Sequence, residues 1–124
     1  MVVPALEQGG YSFETQVHVG QRLGIGRHVV DAIVTKGDEK ILVSVKWQQI
    51  RGTAEQKVPF EMICLAEVLE AGPYRRAYLV LGGEGWTLRD FYTSGGLRRF
   101  IPLTARIEVV TLEGFVGRAN QGKL

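Results

Sequence analysis

Two strand-like runs joined by a short polar turn constrain this chain more than any other feature. Val29-Val30-Asp31-Ala32-Ile33-Val34-Thr35 is rich in β-branched residues, Lys36-Gly37-Asp38-Glu39 is polar and contains a glycine, and a second run extends from Lys40 to Trp47. That pattern predicts a β-hairpin. In the second run Ile41, Val43, Val45 and Trp47 share one face, while Leu42, Ser44, Lys46 and Gln48 share the other. Each run also contains a charge, Asp31 in the first and Lys46 in the second. Charged groups inside apolar strands are costly unless something compensates them, so each needs a partner.

Other elements fall around this hairpin. Pro4 to Gln8 reads as a short helical turn stopped by Gly9-Gly10. Tyr11 to Val19 alternates apolar and polar residues and is expected to be a half-buried strand, followed by a glycine-rich connection over Gly20 to Gly26. Gln48 to Lys57 reads as a polar loop. A helix is predicted from about Pro59, comfortable at a first helical position, to Ala71 before Gly72-Pro73. Its stripe of Met62, Leu65, Ala66 and Leu69 faces a sheet, with Glu67 and Glu70 pointing away and Glu61 at the stripe's edge. A strand at Ala77 to Leu81, a Gly82 to Gly85 loop, a short helix around Thr87 to Tyr92, a strand at Ile107 to Thr111 and a terminal helical turn complete the chain. The order α-β-β-β-α-β suggests an α/β fold, a central mixed β-sheet flanked by helices.

With 124 residues the chain is expected to form a single domain over 1–124. Its apolar stretches are too short to span a bilayer and no basic-then-apolar leader opens it, so no membrane association is expected. A single cysteine builds neither an internal disulfide nor a zinc cluster, which makes a reducing, cytoplasmic setting the expectation. The net charge of +2 does not by itself indicate a nucleic-acid partner.

Asp31 and Lys46 admit two readings. They form a structural ion pair at the sheet surface, or they belong to a metal-assisted phosphodiester hydrolysis site, with a carboxylate holding Mg²⁺ and a lysine stabilising charge or helping to deprotonate water. At these residues the sequence resembles the PD-(D/E)XK nuclease superfamily, whose signature is an acid ending an apolar strand run and then an acid-x-Lys tripeptide on the next strand. Val29-Val30-Asp31 matches the first element, and Ser44-Val45-Lys46 matches the second except that serine replaces the acid. Some restriction enzymes of that superfamily are similar in carrying Ser-x-Lys with a glutamate moved to the following helix.

The resemblance implies a restriction-endonuclease-like core and a Mg²⁺-dependent DNA endonuclease, with Mn²⁺ able to substitute and 5′-phosphate products. It implies Asp31, Glu61 and the Val45 carbonyl as metal ligands, Glu55 as the second choice for the moved acid, and Lys46 as the catalytic cation. For Glu61 the alternative is an acid complementing the helix dipole. Gln48 either contacts a phosphate or water or caps the strand end. Glu7, with Glu14 behind it, is the candidate acid near the first helix. Ser44 and the donors Gln49, Arg51, Thr53, Gln56 and Lys57 suit phosphate oxygens, or are simply a solvated loop. Cutting both strands of a duplex needs a second copy, so a homodimer is expected.

Other features predict less. Gly24-Ile25-Gly26-Arg27 lacks the spacing of a phosphate-binding loop, His18 and His28 have no second ligand at metal spacing, Cys64 reads as a buried small residue, and Trp47 and Trp86 as core or rim aromatics. The alternative function, favoured by Ser44, is a catalytically inactive nuclease-fold module for DNA binding or assembly.

Overall fold

The computed structural model describes residues 2–52 and 54–124. Its elements are α1 (Val2–Gln8), β1 (Ser12–Arg22), β2 (Ile25–Lys36), β3 (Glu39–Trp47), α2 (Ala54–Ala71), β4 (Arg76–Gly82), α3 (Arg89–Thr93), β5 (Ile107–Thr111) and α4 (Leu112–Asn120), with 3₁₀ turns at Gly96–Arg99 and Pro102–Thr104. The strands form one sheet in the order β1-β2-β3-β4-β5. β1, β2 and β3 are antiparallel neighbours; β3, β4 and β5 run parallel. A parallel step needs a crossover, and α2 supplies the one between β3 and β4.

Helices cover both faces. Val58, Met62, Leu65, Ala66 and Leu69 of α2 pack with Leu42, Ala77, Leu79, Leu81 and Ile107 on one side. On the other, Ala5 and Leu6 of α1 and Phe115 and Ala119 of α4 pack with Ile41, Val43, Tyr78, Val80 and Val110. β4 sits between the two layers, which is why Ala77 to Leu81 is an unbroken buried apolar run. This is the α/β architecture expected from the element order, a mixed five-stranded sheet flanked by helices.

Three boundaries differ from expectation. The glycine-rich Gly20 to Gly26 segment is largely strand: β1 continues to Arg22, β2 begins at Ile25, and only Leu23 and Gly24 turn, both with positive φ (53° and 78°). Positive φ at both central residues defines a type I′ hairpin turn, and glycine made the whole segment look like a connection. The C-terminal turn is a full helix, α4. The third difference is α2, which starts at Ala54 and takes Pro59 inside it. Proline cannot donate to the carbonyl four residues back, that of Glu55. Tyr92 replaces the missing donor, its hydroxyl giving a 3.0 Å hydrogen bond to that carbonyl. Tyr92→Phe is therefore expected to lower stability by about 1 kcal/mol, the scale of losing one part-buried hydrogen bond, as read from urea unfolding.

The β1–β2 ribbon changes phase at Asp31. Val30 and Ile33 both belong to the α2-side layer, whereas Ala32 and Val34 belong to the other, so strict alternation fails between 30 and 32. β1 does the same, Phe13 facing the α1 side and Val17 the α2 side, around Gln16 with φ 53°. Pairing of β2 with β3 extends only to Ala32 opposite Val43. Beyond it the ribbon leaves the sheet plane and its tip bends over α2, where the Leu23 amide donates to Glu67 Oε1 at 3.2 Å.

Candidate active site

The departure of β2 from β3 leaves the Val45 amide without a strand partner on that edge, and Asp31 takes it: Val45 N–H donates to Asp31 Oδ2 at 2.7 Å. A strand residue's N–H and C=O leave the same edge, so the Val45 carbonyl opens beside Asp31. One residue earlier, on the α2 face, Ser44 Oγ donates to Glu61 Oε2 at 2.6 Å. Two carboxylates, one from β2 and one from α2, are thus seated on consecutive residues of β3. Lys46, next along and half-buried, acts electrostatically on Glu61.

Glu61 is 1% exposed and Ser44 2%. Because α2 begins at Ala54, Glu61 lies about two turns inside the helix rather than in its first turn, and complementing the helix dipole does not explain it. His28, itself fully buried, places Nε2 3.4 Å from Glu61 Oε2, and Arg22 places Nη2 3.6 Å from Glu61 Oε1. Burial pushes the Glu61 carboxyl up. Hydrogen bonds with His28 and Ser44 and the Lys46 charge push it down further, leaving it below the ordinary glutamate range and ionised at neutral pH.

Glu55 is engaged elsewhere. Its carboxylate accepts hydrogen bonds from the Thr87 amide, from Thr87 Oγ1 at 2.6 Å and from the Leu88 amide at 3.1 Å. Those contacts pin the start of α2 to the segment before α3, and the Thr87 hydroxyl leads in holding the Glu55 carboxyl below its ordinary range. A carboxyl with a depressed folded-state pKa stabilises above its unfolded pKa, and the gain disappears as pH falls through the folded value. The thermal midpoint gap between wild type and Glu55→Gln is expected to shrink steadily from pH 6 to pH 3.

Gln48 is buried and bonded to the glycine loop after β4. Its Nε2 donates to the Gly85 carbonyl at 2.8 Å, its amide to Gly82 at 3.0 Å, and its carbonyl accepts from the Gly85 amide at 2.9 Å. These bonds tie the end of β3 to that loop. The chain segments touch here so closely that a Cβ on Gly85 would lie 2.5 Å from the Ile50 backbone. Arg51, Gln56 and Lys57 are exposed beyond this junction, and Thr53 lies outside the described residues. Glu7 is exposed on α1, across the sheet from α2, and Glu14 is exposed on β1, opposite Ile33; among the described residues no ion pair or hydrogen bond of Asp31 or Glu61 involves either. Trp86 is buried with its indole N–H on the Gly82 carbonyl, Trp47 is 57% exposed at the rim, and burial raises the Cys64 thiol pKa, which keeps it inert.

Arg22 and His28 are the site residues that sequence reasoning missed. Both fall in the segment read as a connection or beside it, and only recognition that β1 and β2 continue to the turn would have aimed them at α2.

Mg²⁺ takes oxygen donors, commonly one or two carboxylates with water and phosphate completing the shell. Asp31, Glu61 and the Val45 carbonyl match that donor set, and Glu61 Oε1 is a buried oxygen without a hydrogen-bond partner. Among the described residues no group of three or more His, Cys, Asp or Glu is placed to hold a metal ion. These residues offer the oxygen donor types that a divalent cation takes.

Comparison with known proteins agrees with the architecture. The crystal structure of a protein of unknown function superposes with a TM-score of 0.57 at 12% identity, over 90% of this chain and 54% of that one. The chain therefore spans about half the length of that protein, and the likeness concerns the fold alone. No curated protein matches the chain. Among the described residues no helix is long and apolar enough to cross a membrane. The family model of the PD-(D/E)XK nuclease superfamily domain matches residues 1–123, and the chain belongs to that superfamily.

Proposed function

We propose that residues 1–124 form a Mg²⁺-dependent DNA endonuclease domain in which Asp31, Glu61 and the Val45 carbonyl would hold the cation. β3 carries the main support for this reading, because Ser44 and Val45 fix both carboxylates immediately before Lys46. A bound divalent ion supplies Lewis-acid polarisation of a phosphoryl oxygen and acidifies water. Asp31 and Glu61, both fixed by hydrogen bonds before substrate arrives, orient that charge without reorganising. The Lys46 ammonium, close enough to Glu61 to act on it electrostatically, would offset the charge that develops on the phosphoryl oxygens and orient the attacking water. Arg51, Gln56 and Lys57, exposed donors, would contact the DNA backbone, as would Thr53, which lies outside the described residues; Ser44 serves the site indirectly by holding Glu61, and Gln48 is bonded to the glycine loop after β4. The products carry 5′-phosphates, a homodimer delivers two cuts, Mn²⁺ substitutes for Mg²⁺, and the reducing cytoplasm suits the single thiol.

Supercoiled plasmid or branched DNA incubated with the protein and Mg²⁺ or Mn²⁺ is expected to be nicked, leaving 5′-phosphate ends; no cutting under either ion defeats the reading. A second reading has its own support. Arg22 already stands against Glu61, which suits a nuclease fold retained only for DNA binding or assembly. Such a module binds DNA with salt-dependent affinity yet shows no Asp31-dependent Mn²⁺ binding.

A further inference from the structure

The two oxygens of Glu61 are treated differently by the protein. Oε2 accepts the 2.6 Å hydrogen bond from Ser44 and faces His28 Nε2 at 3.4 Å, so the fold fixes it. Oε1 is buried, accepts no hydrogen bond, and faces Arg22 Nη2 across 3.6 Å. An arginine installed to hold a carboxylate makes paired N–H···O bonds of about 2.7–2.9 Å. This one contributes charge without that geometry, and its side chain is 33% exposed against 2% for Glu61. It is the last residue of β1, next to the two-residue turn at the ribbon's tip.

Charge at the site points the same way. Asp31 and Glu61 carry two negative charges, and Lys46 and Arg22 carry two positive ones. A divalent cation added to that balanced set would enter against both. Lys46 is on β3, in mid-sheet, whereas Arg22 is at a partly exposed hairpin end with no hydrogen bond to give up at Glu61.

We propose that Arg22 is a resident counter-ion that occupies the charge position of the divalent cation at Glu61 Oε1, yields it when the cation binds, and thereby sets the protein's affinity for the metal. This rests on Asp31 and Glu61 being cation ligands. With the cation in place, the released guanidinium stays at the mouth of the site, a suitable partner for a phosphate oxygen of the substrate. Arg22 acts here as a positioning residue through Glu61.

Isothermal titration of Mn²⁺ into the full chain, without DNA, tests the idea by affinity alone. Arg22→Met keeps the apolar stem and removes the charge, and is expected to bind Mn²⁺ about tenfold more tightly than wild type, since a cation no longer competes at close range. Arg22→Lys keeps the charge and is expected to remain within about threefold of wild type. A merely structural pair predicts the opposite, because losing it would loosen Glu61 and weaken binding. Arg22→Gln takes the place of Arg22→Met if the latter does not fold. Wild-type binding with equal or weaker affinity in the charge-free variant overturns the role of Arg22. Absence of Mn²⁺ binding in wild type and variant alike overturns the cation site itself, and Asp31→Asn, expected not to bind, marks which of the two has failed.

Discussion

Lys46→Ala is expected to reduce metal-dependent cleavage by about 10²–10⁴-fold, the range typical of losing one positioned charge or proton-transfer group. Lys46 is half-buried and belongs to neither apolar layer, so its ammonium is not a packing group. It acts on Glu61, whose carboxyl it helps to keep ionised. Folding should change by no more than about 1 kcal/mol, the scale of one partly solvated charge pair. Salt-dependent DNA binding should also survive, because the proposed backbone contacts of Arg51, Gln56 and Lys57 remain. The diagnostic combination is a near-normal thermal midpoint, retained DNA binding in a gel-shift assay, and loss of nicking. Lys46→Arg should recover only part of the rate, since the planar guanidinium places its charge differently from an ammonium. Nicking by Lys46→Ala at the wild-type rate would remove Lys46 from the chemistry.

Much of this arrangement is legible in the residues because several local signals agree. The Gly37 turn, the β-branched runs and the apolar stripe of α2 all specify the same hairpin-and-crossover unit, and Asp31 and Lys46 stand out as charges in strands that otherwise bury apolar side chains. Less legible are features decided by tertiary partners. Pro59 looks like a helix start until Tyr92, far along the chain, supplies the bond that proline cannot make. Gly20, Gly24 and Gly26 look like one loop, although only Leu23 and Gly24 turn. Hidden behind that misreading was the ribbon's change of phase at Gln16 and Asp31, which brings Arg22 and His28 onto Glu61. Sequence pattern favours Glu61, at the edge of the helical stripe, over Glu55, which reads as part of a polar loop, but it does not reveal what holds either one. Ser44 reaches Glu61, while Thr87 and Leu88 hold Glu55, which supports Glu61 as the proposed ligand.

Moving the acid back from the helix to the strand tests this choice with large effects. Ser44→Asp alone puts a second carboxylate within reach of Glu61 at a position only 2% exposed, and is expected to cost about 3 kcal/mol or more at neutral pH. One carboxyl of that pair should have a raised pKa. A raised folded-state pKa favours the native state at low pH and loses that contribution as pH climbs through it, so the penalty should diminish on acidification. Glu61→Gln alone removes the charge that faces Arg22 and is expected to abolish Mn²⁺ binding. Combining the two leaves one carboxylate of the pair, now in an acid-x-Lys tripeptide on β3, and an uncharged amide on α2. The double variant S44D/E61Q should therefore regain most of the stability lost by S44D, as read from urea unfolding, and should bind Mn²⁺ where E61Q does not. If E61Q binds Mn²⁺ as tightly as wild type, Glu61 is not a ligand. If the double variant is no more stable than S44D, the two side chains do not share one electrostatic site.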